Sequence, residues 1–201
     1  MPGHEQISLE TWVSRRQEAD IQLLRSMGYE LAERYRRMRI DMDEPPFEPE
    51  WPEGVAMRTA VKGEDERAVY EVLEDANSDN PRHEPMDYAS WLRLMVDTYR
   101  YDPSLWWLAV EKDQLVGAAL GVQFPDEGWV RLVGVRNAWR RRGIATALLR
   151  TAFREFWRRG YARVELGVDP HSVYGAQRIY ERAGMWVAFE LAKYQKELRQ
   201  S

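Results

Sequence analysis

The stretch VRLVGVRNAWRRRGIATALL, residues 130–149, decides the fold of this 201-residue chain. It begins as an apolar strand, passes through a loop with three consecutive arginines, and continues from Gly143 with the apolar spacing of a helix. The first turn of a helix leaves N–H groups without intrahelical partners and carries roughly half a positive charge. The stretch therefore predicts an anion site, suited to pyrophosphate, where a strand meets a helix.

Small and basic residues strengthen this prediction. Gly143 and Ala145 allow a ligand to approach the backbone closely, and an arginine guanidinium binds phosphate with two parallel hydrogen bonds. The three arginines, Arg140, Arg141 and Arg142, also fit a second interpretation, in which they form an ordinary solvated surface.

A change in composition divides the chain before this stretch. Residues 43–54, DEPPFEPEWPEG, hold four prolines and five acidic residues, a pattern that cannot continue a helix or a central strand. We predict a linker at residues 44–54. It separates an N-terminal arm, residues 1–43, from a main domain, residues 55–201, of the commonest domain size.

Alternating strand and helix patterns fill the main domain. Their order, β-α-α-β-β-β-α-β-α-β-β, predicts an α+β fold with a mixed sheet. The last two strands of this prediction both come from residues 185–198.

The arm resembles the end of the main domain. An ungapped alignment of Gly28 with Gly184 pairs residues 23–42 with residues 179–198, matching a helix end, a glycine stop and a final strand. One hypothesis is that the arm is the tail of an upstream copy of the same unit, and chance similarity is the alternative. The arm's strand must find a partner on this domain or on another chain.

Composition excludes several classes of function. The chain has no cysteine, a formal net charge of −4 and a pI near 5.6, which argues against thiol chemistry and against nucleic acid or anionic membranes as partners. Histidines without ligand spacing predict no metal site. No run of ~18 apolar residues occurs, so we expect a cytoplasmic location. Neither GxGxxG nor a P-loop motif is present.

At the arginine-rich loop the sequence resembles the GNAT superfamily of acyl-CoA-dependent N-acyltransferases. The family signature Gln/Arg-x-x-Gly-x-Gly/Ala matches residues 140–145, RRRGIA, and a second signature matches residues 179–185, IYERAGM. The preceding LVGV, residues 132–135, takes the place of the family's fourth strand. The resemblance implies a three-layer fold with a twisted mixed sheet of about seven strands, splayed between the fourth and fifth, and about four flanking helices. It also raises the idea that the chain is the C-terminal unit of a tandem-GNAT protein.

The resemblance implies that acetyl-CoA is the co-substrate and that its pantetheine arm pairs with the fourth strand as a pseudo-strand. Ser172 stands where the family often has an asparagine that contacts the cofactor. The residues assigned to the cofactor are Val133, Gly134, Val135, Arg140, Arg141, Arg142, Gly143, Ile144, Ala145, Thr146, Ser172 and Tyr180.

Catalytic roles follow from the same resemblance. Tyr180 falls where many members place the general acid that protonates the departing thiolate, although a buried core tyrosine is the alternative. Several members have a glutamate base at the position that is Trp129 here, and a tryptophan cannot accept a proton. Glu127 and Asp169 are the candidates for the base, with His171 close to Asp169 in sequence.

Three hypotheses follow for function. The first is an N-acetyltransferase that moves an acetyl group directly to a primary amine of a small molecule or peptide, with no covalent enzyme intermediate. The second is an acyl-CoA-binding regulatory or degenerate module without turnover. The third gives the arm a role in assembly, with residues 38–42 completing the sheet of a neighbouring copy in a homodimer.

Overall fold

The chain forms eight strands and five α-helices in the residues that this computed structural model describes, 7–97, 101–168 and 176–198. The strands are β1 (Ile7–Ser14), β2 (Glu30–Asp41), β3 (Val55–Thr59), β4 (Trp106–Glu111), β5 (Gln114–Gln123), β6 (Gly128–Val135), β7 (Arg163–Val168) and β8 (Trp186–Leu198). The helices are α1 (Glu18–Ser26), α2 (Glu66–Asn77), α3 (Tyr88–Leu92), α4 (Ile144–Arg158) and α5 (Ala176–Arg182). None of the described helices is long and apolar enough to cross a membrane.

All eight strands belong to one sheet, in the order β1-β8-β2-β7-β6-β5-β4-β3. Each neighbouring pair is antiparallel except β6 and β7, which are parallel. The predicted α+β class with a mixed sheet is therefore confirmed.

The strand and helix counts differ slightly from the expectation, for two reasons. The arm adds β1, β2 and α1 to the fold, and residues 185–198 supply one strand, β8, where we predicted two. The sequence of β8, WVAFELAKYQKEL, has no glycine, proline, asparagine or aspartate that would favour a turn. It therefore continues as a single extended strand.

The arm is built into the sheet. Its strand β2 lies between β7 and β8, and it pairs with β7 from Arg36 opposite Val168 to Asp41 opposite Arg163. The side chain of Met38 in this strand is fully buried. The arm's strand thus has partners within its own chain, which contradicts the hypothesis that residues 38–42 complete a neighbour's sheet.

The internal similarity extends over a whole β-α-β unit. Under the alignment of Gly28 with Gly184, β1 and β7 begin at matched positions, and so do β2 and β8. Both glycines follow a helix and have positive φ values, 82° and 104°, the left-handed conformation that commonly ends a helix. That the arm descends from an upstream copy remains a proposal, and this correspondence supports it.

Apolar clusters cover both faces of the sheet and give the fold three layers. On one face, α4 buries the side chains that its helical spacing predicts, among them Ile144, Leu148 and Phe156. On the other face, α2 and α3 contribute Val69, Leu73 and Trp91. Both faces of the central strands are therefore removed from water, which is the main stabilising contribution.

Residues 44–54 contain neither helix nor strand and run beside α4. Glu48 and Glu50 make ion pairs with Arg154 and Arg150 of α4, at 2.7 and 3.0 Å. Both carboxylates are largely exposed, so each pair contributes little to stability. The limits that we set for the arm, linker and domain remain proposals, and the arm and the domain share one sheet.

A buried ionic cluster joins the arm to the centre of the sheet. Glu165 of β7, only 1% exposed, accepts hydrogen bonds from Arg37 and Arg39 of β2. Arg37 also reaches Glu127, which precedes β6, at 3.0 Å. Because an unpaired buried carboxylate is costly, the two arginines allow Glu165 to be buried at this point.

We expect Arg37→Met to lower the free energy of unfolding by about 2 kcal/mol. Loss of all partners of a buried charge costs ~3–5 kcal/mol, and Arg39 would still pair with Glu165. The control is Arg34→Met, an exposed arginine on the same strand, with an expected change below about 0.5 kcal/mol. Urea denaturation measures both values, and equal losses in the two variants would contradict the role of the cluster.

Candidate active site

The parallel strands β6 and β7 pair only at their first residues. The pairs are Gly128 with Val164 and Trp129 with Glu165, and among the described residues no later position of β6 pairs with β7. The two strands therefore diverge toward their carboxyl ends, which confirms the expected splay. A cleft of about 1320 Å³ opens between them.

Backbone from several elements lines this cleft. One wall is residues 133–135 of β6, and the opposite wall includes Gly167 and Val168 of β7. The helix α4 contributes its first three residues, and α5 contributes several, among them Tyr180. The strand β5 pairs with β6 on its other side, with Val133 opposite Ala119 and Val135 opposite Gly117. The edge of β6 that faces the cleft consequently has no strand partner among the described residues.

Gly134 lets α2 pack directly on β6 behind this edge. A Cβ at Gly134 would lie 2.9 Å from Cδ2 of Leu73, closer than such atoms approach in proteins, and 3.0 Å from Cβ of Ala76, which is a very tight contact. A larger residue would push α2 away from the strand. The glycine therefore fixes the position of the open edge.

The amino terminus of α4 points its free amides at the cleft. Gly143 precedes the helix with φ of +91°, and the first intrahelical hydrogen bond runs from Ala147 N to Gly143 O at 3.0 Å. The N–H groups of residues 144–146 precede that bond, and all three residues line the cleft. A Cβ at Gly143 would meet no atom within 4 Å. Glycine is therefore favoured here by the backbone conformation, and not because a side chain would lack space.

The three consecutive arginines have three different environments. Arg140 donates hydrogen bonds to Asp79 and to the carbonyl oxygen of Ala76, and so fastens the loop to the end of α2. Arg141, exposed and with φ of +61°, lines the cleft, and its side chain has no hydrogen bond or ion pair within the described part of the chain. Arg141 is therefore the arginine available to an anion.

The side chain of Arg142, another residue assigned to the cofactor, is engaged outside the cleft. Its guanidinium pairs with Glu111 at 2.6 Å, and the residue does not line the cleft. Arg142, together with the indole N–H of Trp139, holds the pKa of Glu111 down at about 2. The side chain is thus engaged on the β4 side of the loop.

Tyr180 lies on the wall formed by α5 and lines the cleft. It also packs against the core cluster that α4 forms, so both interpretations of this residue describe part of its environment. Burial raises the pKa of its hydroxyl to about 12. The phenol is therefore protonated at neutral pH, as a proton donor must be.

The candidates for the base are not brought together with Tyr180. Glu127 does not line the cleft, lies before the first residue of β6, and is held by Arg37. Six residues of strand separate it from Val133, roughly 20 Å at the rise of a β-strand. Asp169, His171 and Ser172 lie outside the described residues.

The structure adds residues that the sequence analysis missed. Arg37 lies over the Trp129 ring, 4.2 Å from its centroid, and also contacts Glu165 and Glu127. Several charged residues in one strand, RYRRMRID, were the available signal, because arginines in a central strand need carboxylate partners. Among the described residues no group of three or more histidine, aspartate or glutamate side chains is placed to hold a metal ion.

Comparisons with known sequences agree with this geometry. Residues 67–185 match the model of the Acetyltransferase (GNAT) family. A mycothiol acetyltransferase from Streptomyces scabiei is 31% identical over 188 residues, which cover 90% of this chain and 59% of that protein. A second, from Nocardiopsis dassonvillei, is 32% identical over 158 residues, covering 73% of this chain and 47% of that protein.

Solved structures share the fold. A GCN5-related N-acetyltransferase from Sphaerobacter thermophilus matches with a TM-score of 0.83 and 40% identity, over all of this chain and 62% of that one. A tandem GNAT protein from the clavulanic acid biosynthesis pathway matches with a TM-score of 0.70 over 98% of this chain and 65% of that one, and its 14% identity shows the fold alone. This chain spans about three fifths of the length of these proteins.

The contrast between Arg141 and Arg142 can be tested directly. We expect Arg141→Ala to weaken CoA binding about tenfold, because it removes a charge-assisted hydrogen bond to phosphate. Arg142→Ala, the neighbouring control, should change the dissociation constant less than about threefold, since its side chain lies outside the cleft. Isothermal calorimetry with CoA measures both. Equal effects, or a larger effect at Arg142, would contradict the assignment.

Proposed function

Because the chain belongs to the GNAT family of acetyltransferases, we propose that it transfers an acetyl group directly from acetyl-CoA to a primary amine of a small molecule or peptide. One observation carries the proposal. An unpaired strand edge, a helix amino terminus and a protonated tyrosine face the same cleft. Together they suit the amides, the diphosphate and the sulfur of one extended co-substrate.

Binding of the co-substrate would use mostly backbone groups. The amides of the pantetheine arm would pair with the open edge of β6 at Val133 and Val135, as an added strand does. The diphosphate would accept hydrogen bonds from the N–H groups of residues 144–146 and from Arg141. The remaining cofactor assignments, including Ser172, stay proposals.

The chemical step needs no covalent enzyme intermediate. The deprotonated amine attacks the thioester carbonyl carbon and the C–N bond forms. The attacking nitrogen then loses a proton to a base, and the C–S bond breaks as the tetrahedral intermediate collapses. The Tyr180 hydroxyl donates its proton to the departing thiolate and recovers one from solvent. Positioning the amine and thioester in one cleft supplies much of the rate enhancement in such reactions.

The base remains open between two carboxylates. Asp169 directly follows Val168, which lines the cleft, and this adjacency in sequence supports it. Glu127 is engaged with Arg37 and would need an ordered chain of water to reach the amine. We therefore favour Asp169 over Glu127.

The acceptor is proposed only as a class. The curated relatives are named for mycothiol, and each is considerably longer than this chain. For this chain we extend that information no further than a primary amine.

A second candidate function is an acyl-CoA-binding module without turnover. Trp129 occupies the position of a glutamate base in several members of the family, and Arg37 covers its ring. Release of free CoA thiol across a panel of amines distinguishes the two functions. Binding of acetyl-CoA with no thiol release on any amine would favour the module and contradict the enzyme.

We expect Tyr180→Phe to lower kcat by about 100-fold or more, because it removes the general acid. The KM for acetyl-CoA should change less than about threefold, since the ring that packs on the cleft wall remains. Tyr161→Phe is the control, because the Tyr161 hydroxyl donates a hydrogen bond to Gln123 and the residue does not line the cleft. Thiol release measures both variants, and an unchanged kcat in Tyr180→Phe would remove the assigned role.

The pH dependence of kcat provides a separate prediction. Because burial places the pKa of Tyr180 at about 12, its proton is present through neutral pH and is lost only as the pH approaches that value. kcat should therefore show no alkaline decrease below about pH 10. A bell-shaped profile with an alkaline limb near pH 8 or 9 that disappears in Tyr180→Phe would contradict the raised pKa of Tyr180, and a limb that remains in Tyr180→Phe would belong to another group.

A further inference from the structure

The strand β1 is the last strand on the arm's side of the sheet, and no described strand pairs with its outer edge. We propose that this edge binds a second copy of the chain, with β1 of one copy antiparallel to β1 of the other and centred on Thr11. The resulting sheet would run through both copies. This surface lies apart from the cleft and from the acetyl-transfer chemistry.

β1 has few of the features that protect an edge strand from such pairing, and Glu10 is its only charged residue. Its eight residues, ISLETWVS, contain no proline and no lysine, and its register against β8 has no bulge. Edge strands of monomeric proteins usually carry such features. At the opposite end of the sheet, β3 has only five residues and carries Arg58, which is paired with Asp65.

Several large apolar side chains beside this edge are exposed to solvent. Leu9 of β1 is 44% exposed, and Leu23 and Met27, in and just after α1, are 59% and 52% exposed. Lys196, which lies opposite Leu9 in the pairing of β1 with β8, donates a hydrogen bond to the carbonyl oxygen of Met27 at 2.7 Å, so Leu9 and the end of α1 are close together. Exposed apolar side chains gathered in this way indicate an interaction site.

The internal repeat shows that these positions have a buried counterpart. Under the alignment of Gly28 with Gly184, Leu23 corresponds to Ile179, which packs against the core, and Met27 corresponds to Ala183, which is 2% exposed. In the main domain, α4 and the strands around it provide the cover. The arm therefore presents a surface of the type that is buried elsewhere in the same fold.

The sequence of β1 fits a second copy in one register. Directly opposite residues of an antiparallel pair lie on the same face, so a two-fold axis at Thr11 places Thr11 opposite its equivalent and Leu9 opposite Val13. Glu10, the only charged residue of β1, then lies opposite Trp12. An axis at Glu10 would bring two glutamates together, which is unfavourable.

The two-fold axis also determines where the two α1 helices of the dimer lie. An axis perpendicular to the sheet keeps α1 of both copies on the same face of the joined sheet, on either side of the new strand pair. The exposed Leu23 and Met27 of the two copies would then cover each other. Strand pairing and apolar burial would thus act together, which strand pairing alone seldom achieves for a stable dimer.

The first test is the mass of the full chain by sedimentation equilibrium. We expect twice the monomer mass of 23.7 kDa at micromolar concentrations. Leu9→Lys should weaken the dimer at least about tenfold, because each dimer would bury two lysines. Met57→Lys is the matched control, with a methionine 40% exposed on the opposite edge strand, and it should remain dimeric.

A monomeric wild-type chain would overturn the proposal. The outer edge of β1 would then be available to a different protein. A dimer that persists in Leu9→Lys would place the interface elsewhere and also overturn it. Circular dichroism verifies folding of each variant. If Leu9→Lys does not fold, Leu23→Glu provides the same measurement from an exposed helix position.

The second test uses the absence of cysteine from the chain. In Thr11→Cys the two engineered thiols of a dimer would lie directly opposite, about 4.5–5.5 Å apart at Cβ, near the range for a disulfide. Oxidation should link this variant at least about tenfold faster than Glu10→Cys, whose thiol would face Trp12. Equal rates, or no linked dimer in Thr11→Cys, would contradict the register.

Discussion

The site depends on one strand edge that the sheet leaves unpaired. After Trp129, β6 has β5 on one side and the cleft on the other. Buried backbone N–H and C=O groups need hydrogen-bond partners, and an extended ligand with its own amides supplies them. The amino terminus of α4 lies in the same cleft, and its free amides would suit the anionic end of such a ligand.

The arm contributes to holding this edge open. Its strand β2 occupies the far side of β7, so β7 is paired there and β8 is one strand further away. Its arginines pair with Glu165 at the position where β6 and β7 last pair, and Arg37 also reaches Glu127. The splay thus begins at a charged cluster that includes both the arm and the domain.

Local signals in the sequence predicted a large part of the site. The motif at residues 140–145 and the amphipathic pattern of α4 located the helix start that lines the cleft, because both depend on short-range spacing. Ten of the twelve residues assigned to the cofactor line the cleft. Arg142 does not, because its direction depends on Glu111, a partner from a distant strand that no local pattern reveals.

Long-range pairing was the part that the sequence did not reveal. The linker composition at residues 43–54 suggested a separate arm, whereas β2 lies inside the sheet. A strand's neighbours are set by burial across the whole fold, and no local property of RYRRMRID specifies β7 and β8 as partners. The buried role of Glu165 was missed for the same reason, because its arginines are more than a hundred residues away.

Amide hydrogen exchange with and without CoA tests the central claim most directly. If the diphosphate binds the start of α4 and the pantetheine arm pairs with β6, CoA should slow exchange in residues 133–135 and 144–146 more than anywhere else in the chain. Binding of CoA with protection elsewhere, and with unchanged exchange in these two segments, would contradict the account.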